Sequence, residues 1–406
     1  MINLFLLFSF VFLQTADQIP QGYEPELYKK SVELSKQIII LDGHVDAPMK
    51  LMNGDHDIST DTKSKGEFDY VKAKRGGYDA PFMSIYIESG LQLKPGESKK
   101  RADRLIDLVD SVIENNPSQF GKALTPADVR KNFKLGLISL PMGMENGSAL
   151  EEDLSNVSYF FNRGIRYITL THSKKNKIGD SSYDSDKSWN GLSPFGKQVV
   201  AEMNRLGIMI DISHVSDSVF MQVLRYSKTP VISSHSSLRV FTPDFERNVS
   251  DDMLKALAKK GGVIQINFGS SFLTENANTY RDRRTKYINA FKEKNNLTSN
   301  SDPKVKAETE KYNAANPYPF ATIDDVVRHI DYAVKSVGVD FVGIGSDFDG
   351  VGDSLPVDLK SVEDMPKLIY KLKKKGYSDS DIEKIMSGNV LRVWQQVTDF
   401  ANNGGK

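Results

Sequence analysis

The chain has 406 residues, 39% hydrophobic and 26% charged, which is enough for one large domain with a well-filled core. Lys+Arg and Asp+Glu both number 53, so there is no net charge; with no basic stripe either, this argues against nucleic acid as the main partner. There is no cysteine, which excludes thiolate metal sites, disulfides and cysteine nucleophiles.

Residues 1–16 (MINLFLLFSFVFLQTA) are apolar but too short to span a bilayer comfortably. They read as a secretory signal peptide cleaved near Thr15 and Ala16, against the alternative of a buried apolar arm. No lipid-accepting Cys follows, and the C-terminal DFANNGGK has no hydrophobic tail. The expectation is therefore an exported protein, periplasmic or extracellular, with no stable membrane anchor.

Helical spacing over 23–37 leads into a first buried strand, IIIL at 38–41, which breaks at Gly43 and is followed by His44 and Asp46. A long polar loop covers 53–79, FMSIYI at 82–87 is a second strand, and 99–115 is an amphipathic helix. Thr125-Pro126 signals another helix start. Strands three to six are expected at 135–140 (LGLISL), 165–170 (IRYITL), 208–212 (IMIDI) and 230–233 (PVIS). The seventh and eighth are expected at 262–268 (GVIQINF) and 341–344 (FVGI), with helices between the strands. A charged, Asn-rich stretch at about 270–320 interrupts this rhythm and reads as a helical insertion, with Tyr287, Ile288, Phe291 and Tyr312 to dock it. Two further helices and a last helical turn close the chain. Eight short strands separated by helices predict a (β/α)8 TIM barrel in a single domain over 17–406. No glycine-rich nucleotide loop is present.

Barrel active sites lie at the C-terminal strand ends. The residues there are His44 and Asp46 after the first strand, Glu145 after the third, His172 after the fourth, His214 after the fifth, His235 after the sixth and Asp347 after the eighth. One histidine on a polar rim is unremarkable, but this many imidazoles and carboxylates buried together without a partner would be costly, and a cation offsets that cost. Imidazole with carboxylate and no thiol suits Zn²⁺, with Mn²⁺, Co²⁺ or Fe²⁺ as alternatives, and the set is large enough for two ions at the C-terminal face. The other two histidines, His56 in the polar loop and His329 within a helix, read as surface or packing residues.

DGHVDAP, MGMENG, LTHSKKN, GLSPFGKQVVAEMNRLGIMIDISHVSD, SSHSS, RNVSDD and GIGSDFDG occur in this order between Ile38 and Trp394. Together they resemble the membrane (renal-type) dipeptidases, the dinuclear zinc peptidase family M19 of the amidohydrolase superfamily. The resemblance implies zinc-dependent hydrolysis of dipeptides by a metal-bridging hydroxide. It implies His44 and Asp46 on one Zn²⁺, His214 and His235 on the other, and Glu145 bridging the two. His172 would steady the oxyanion, Arg247 would pair with the substrate's C-terminal carboxylate, and Asp347 would carry the proton. Asp349 is the rival to Asp347, which follows the strand more closely. The resemblance also implies a homodimer. Val45 stands where the family has Asn, and should point away from the metals. Deacylation of N-acyl amino acids on the same barrel, or a non-catalytic metal-binding relative, are the competing readings.

Overall fold

Eight parallel strands lie side by side in chain order: β1 Leu41–Val45, β2 Ala80–Tyr86, β3 Met142–Glu145, β4 Ile165–Thr169, β5 Met209–Asp211, β6 Ile232–Ser233, β7 Val263–Ile266 and β8 Val342–Ile344. The computed structural model describes residues 19–54 and 56–405, so the signal peptide expected over 1–16 lies outside the described residues. Seven of the neighbouring pairs are laddered. The eighth junction, β8 to β1, closes beyond the strand ends: Val45 bridges Phe348, Asp46 N donates to Phe348 O (2.8 Å) and Asp347 N to His44 O (3.1 Å). Deeper in the seam the buried Asp42 carboxylate accepts from His44 N (2.9 Å) and Ser346 N (2.9 and 3.1 Å). The result is a nearly closed barrel with its helices outside, as expected of a (β/α)8 fold.

Two strands differ from the sequence reading. The first is Leu41–Val45 rather than 38–41, so His44 belongs to the strand itself. The third is not the apolar run 135–140. Ile138–Ser139 pairs with Phe120–Gly121 in a separate two-stranded sheet, and the MGME that follows supplies β3. Pro141 separates the two. It has no N–H to continue a ladder, though its carbonyl accepts from Met83 N (2.8 Å). Gly143 in β3 also masks the apolar pattern, and it is required: a Cβ there would lie within the Tyr167 ring.

The helices follow their capping signals. Thr125 accepts from Asp128 N at the start of Pro126–Lys134, and Ser193 caps Pro194–Leu206, which ends at Gly207 with φ +83°. After β7 come helices Ser270–Leu273, Glu275–Lys294 and Pro303–Ala315. Ile288 is buried and Tyr287 stacks on Tyr312 (4.8 Å) where the two long helices meet.

The expected last helical turn is a full helix, Asn389–Asn402. Its Val390, Val393, Trp394 and Val397 pack on Leu41, Phe82, Met209, Ile232 and Val263 at the strand starts, plugging the N-terminal mouth of the barrel. Trp394 is fully buried against Phe82 (ring centroids 5.2 Å). Truncating such a residue typically costs ~3–5 kcal/mol. With its floor sealed, the barrel opens only at the C-terminal strand ends.

Candidate metal centre and active site

Glu145, the last residue of β3, sits at the middle of this rim. Its Oε1 lies 3.2 Å from His214 Nε2, 3.4 Å from His235 Nε2 and 3.5 Å from His172 Nε2. Its Oε2 lies 3.3 Å from His44 Nε2 and accepts from Ser84 Oγ (3.2 Å). His44 Nε2 is also 3.5 Å from Asp46 Oδ2. The two oxygens of one carboxylate therefore face different imidazoles.

The turns that follow the strands aim these side chains. His214 (φ +65°) and Asp347 (φ +63°) hold the left-handed backbone that non-glycine residues rarely adopt. The His214 carbonyl is fixed by Ser182 N (2.8 Å) and Thr171 Oγ1 (3.2 Å). Gly350 leaves the space beside Asp46 and Asp347 that a Cβ would fill.

Burial alone would raise the Glu145 carboxyl, but His44, His172, His214 and His235 outweigh it and hold the group well below the usual carboxylate range. Burial, followed by positive neighbours that include Arg247, pushes His214 and His235 well down, so both imidazoles are neutral. His44 moves upward because Tyr167, Glu145 and Asp46 together overcome its burial. Burial, then Asp46, raises Asp347 to about 7.

The donor set fits divalent cations. His214 Nε2 and His235 Nε2 face each other at 2.8 Å. Among the described residues His44 Nε2, His172 Nδ1 and His214 Nδ1 are buried with no hydrogen-bond partner. Three groups bring ligand atoms within 4.8 Å of one another: His44, Glu145 and His235; Glu145, His172 and His214; and His44, Asp46 and Asp347. Nitrogen and carboxylate oxygen at such spacing suit borderline divalent metals. The groups overlap: His44 stands with Asp46 in one and with His235 in another, while His214 shares Glu145 Oε1 with both His172 and His235.

Arg247 reaches the same rim and is only 3% exposed. It donates to Ser236 Oγ (2.6 Å) and His235 O (2.8 Å), leaving Nε without a partner among the described residues. Asp347 Oδ2 accepts from Asn267 Nδ2 (2.8 Å), whose own Oδ1 is held by Gly269 N (2.7 Å). Asp349 instead binds Glu67 N (2.9 Å) and Phe68 N (3.3 Å), ordering the covering loop. Val45 is fully buried in the apolar core, paired with Met83. His329 is a packing residue between Leu238 N (3.1 Å) and Leu273 O (3.0 Å), and His56 stays in its loop against Lys65 O. A cavity of about 300 Å³ above the centre is lined by Asp46, Met49, Tyr86, His172, Asp347 and their neighbours; Arg247 is not among its lining residues.

Sequence reasoning did not find Tyr86, Tyr167, Tyr183, Asp211, Ser234 or Asn267. The Tyr183 ring packs at a tilt beside His214 (5.9 Å), and Asp211 accepts from Ser213 N and Ser234 N (3.0 and 2.8 Å). One signal was available: an acid inside an apolar strand, as in IIILD and IMID, must be satisfied by something nearby.

Residues 28–405 match the profile of the membrane dipeptidases, peptidase family M19. Dipeptidase tcpJ of Claviceps purpurea (strain 20.1) is 31% identical over 379 residues, covering 89% of this chain and 77% of that protein. Dipeptidase 3 of Mus musculus is 28% identical over 382 residues, covering 92% and 67%. The crystal structure of the probable dipeptidase PvdM from Pseudomonas aeruginosa superposes with a TM-score of 0.80 at 28% identity, over 93% of this chain and 100% of that one. A metallopeptidase from Rhodobacter sphaeroides, liganded with a phosphinate mimic of the dipeptide L-Ala-D-Ala, shares the fold at a TM-score of 0.72 and 24% identity, over 89% and 99%. Since the profile spans nearly the whole chain and curated dipeptidases align along it, the protein is a peptide-bond hydrolase that belongs to the membrane dipeptidase family of metallopeptidases.

Proposed function

We propose that the protein hydrolyses dipeptides to two free amino acids, using two zinc ions held by His44, Asp46, Glu145, His214 and His235. The observation that carries this reading is the division of Glu145, one oxygen toward His44 and the other toward His214 and His235, which suits a carboxylate shared between two cations. Cations bound there supply Lewis acidity to the scissile carbonyl and an activated water at neutral pH. The rest falls to the chain's own side chains. Asp347 accepts the proton released as water adds to the carbonyl and returns it to the departing amine. His172, with 18% of its side chain exposed, donates toward the developing oxyanion. Arg247 pairs with the substrate's free carboxylate. The cavity of about 300 Å³ favours a short substrate.

Arg247→Lys keeps the charge but loses the fork. It is expected to lower kcat/KM for dipeptides roughly 10–100-fold, chiefly through KM, as befits losing one charge-assisted hydrogen bond. Steady-state kinetics on Leu-Gly would check this; an unchanged KM would remove Arg247 from the substrate site.

The central test combines metal analysis with assays on one preparation. About two metals per chain are expected, with dipeptide hydrolysis lost to a chelator and restored by Zn²⁺. An N-acyl amino acid run in parallel separates the alternative deacylase. Bound metal with no hydrolysis of either substrate would overturn the reading. Export to the periplasm or exterior, a signal peptide over 1–16 and a homodimer belong to the same proposal. N-terminal sequencing of secreted protein and light scattering test them. Among the described residues no helix is long and apolar enough to cross a membrane.

A further inference from the structure

Tyr167 is fully buried inside the barrel. It rises from β4 and reaches β1, three strands away in the sheet. Its ring packs on Phe82 (5.1 Å) and lies over Gly143, the β3 position where a Cβ would occupy the ring's space. The hydroxyl makes two hydrogen bonds, with Gly43 O at 3.1 Å and His44 Nδ1 at 2.8 Å. Their directions are forced. A carbonyl oxygen only accepts, so the single phenolic proton goes to Gly43. His44 Nδ1 must then donate to the Tyr167 oxygen, which leaves Nε2 as the nitrogen turned toward Glu145 and Asp46.

The same logic recurs at a second imidazole with different parts. Ser234 Oγ donates to the Asp211 carboxylate (2.6 Å), which also accepts from Thr169 Oγ1. The Ser234 proton is thereby committed, and the His235 Nδ1 at 2.7 Å must donate to Ser234 Oγ. Its Nε2 faces Glu145. By contrast, His172 Nδ1 and His214 Nδ1 have no such partner among the described residues.

We propose that Tyr167 and Ser234 are positioning residues, each committing its own hydroxyl proton elsewhere so that His44 and His235 keep a proton on Nδ1 and present Nε2 to a metal. The inference rests on the two-metal reading above. It also assigns a purpose to the first glycine of MGMENG: Gly143 is the space through which the Tyr167 ring crosses the barrel. A ligand imidazole held this way spends no freedom on choosing its tautomer or ring orientation, and losing such a partner typically weakens metal binding ~10–100-fold.

The test is zinc affinity, measured by competition of Zn²⁺ alone against a chelator of known affinity, for the wild type, Tyr167→Phe and Ser234→Ala. Melting of each metal-free protein is recorded alongside. The expected result is a roughly 10–100-fold loss at one of two bound metals in each variant, with the other metal close to wild type and the metal-free melting temperature lowered only by the few degrees that loss of a buried hydrogen bond explains. Wild-type affinity at both metals in both variants would overturn the inference. Equal weakening of both metals in a variant would also overturn it, because that marks a merely structural role. A wild-type protein that binds no zinc would sink the two-metal reading itself, a different outcome from either.

Discussion

Asp347→Asn is expected to cut dipeptide turnover by roughly 10²–10⁴-fold, the range that general acid–base groups contribute, while leaving the metal content near wild type. The substitution is close to isosteric, and the amide oxygen of the replacement side chain can still accept from Asn267 Nδ2, which now holds the Asp347 carboxylate at 2.8 Å. What is lost is the ability to take up a proton. Burial and the nearby Asp46 raise this carboxyl to about 7. The ionised form that accepts the proton is therefore lost as pH falls through that region, and bound cations, which favour the ionised form, move the limb lower. The variant should lose this acidic limb from its residual pH profile. The measurement is kcat with metal analysis on the same sample. Turnover retained in a metal-replete Asp347→Asn protein would remove Asp347 from the proton path.

Glu145→Gln should behave in the opposite way, with activity and metal disappearing together. Glu145 stands within 3.5 Å of four imidazole nitrogens and belongs to two of the three ligand groups. Gln removes the charge that both groups share and places an amide donor where a cation would sit. Zinc affinity should fall at both positions by more than the ~10–100-fold that follows loss of a supporting partner. Chelator competition and metal counting would show this. A Glu145→Gln protein that holds one metal at wild-type affinity would show that the carboxylate serves one ion alone, and would contradict the bridge. Compared side by side, Asp347→Asn with metal and no turnover and Glu145→Gln with neither separate the proton carrier from the ligand.

How far the sequence could be read depended on which physical signal each residue leaves. His44, Asp46, Glu145, His172, His214, His235 and Asp347 were legible because polar residues at the ends of buried strands have few other reasons to be there, and the structure brings all of them to one rim. β3 was not legible at its true place. MGME carries a glycine that exists for the Tyr167 ring, while the more apolar 135–140 run stops at Pro141 and pairs elsewhere. Tyr167 and Asn267 left little local trace, since their partners His44 and Asp347 lie on or just after strands distant in sequence, and Ser234 is one of several serines around His235. Arg247 was reached through the resemblance alone, and its side chain is buried against Ser236 and His235.

The helix that plugs the barrel floor, Asn389–Asn402, has a consequence in time. It is synthesised after every strand it covers, yet Leu41, Phe82, Met209, Ile232 and Val263, spread along the chain, all rest on it. While that helix is still in the ribosome, these strand starts have only one another and a few neighbours such as Tyr167 to pack on, and the barrel has no bottom. Complete burial of the barrel floor therefore waits until the helix has emerged rather than accompanying synthesis of the strands.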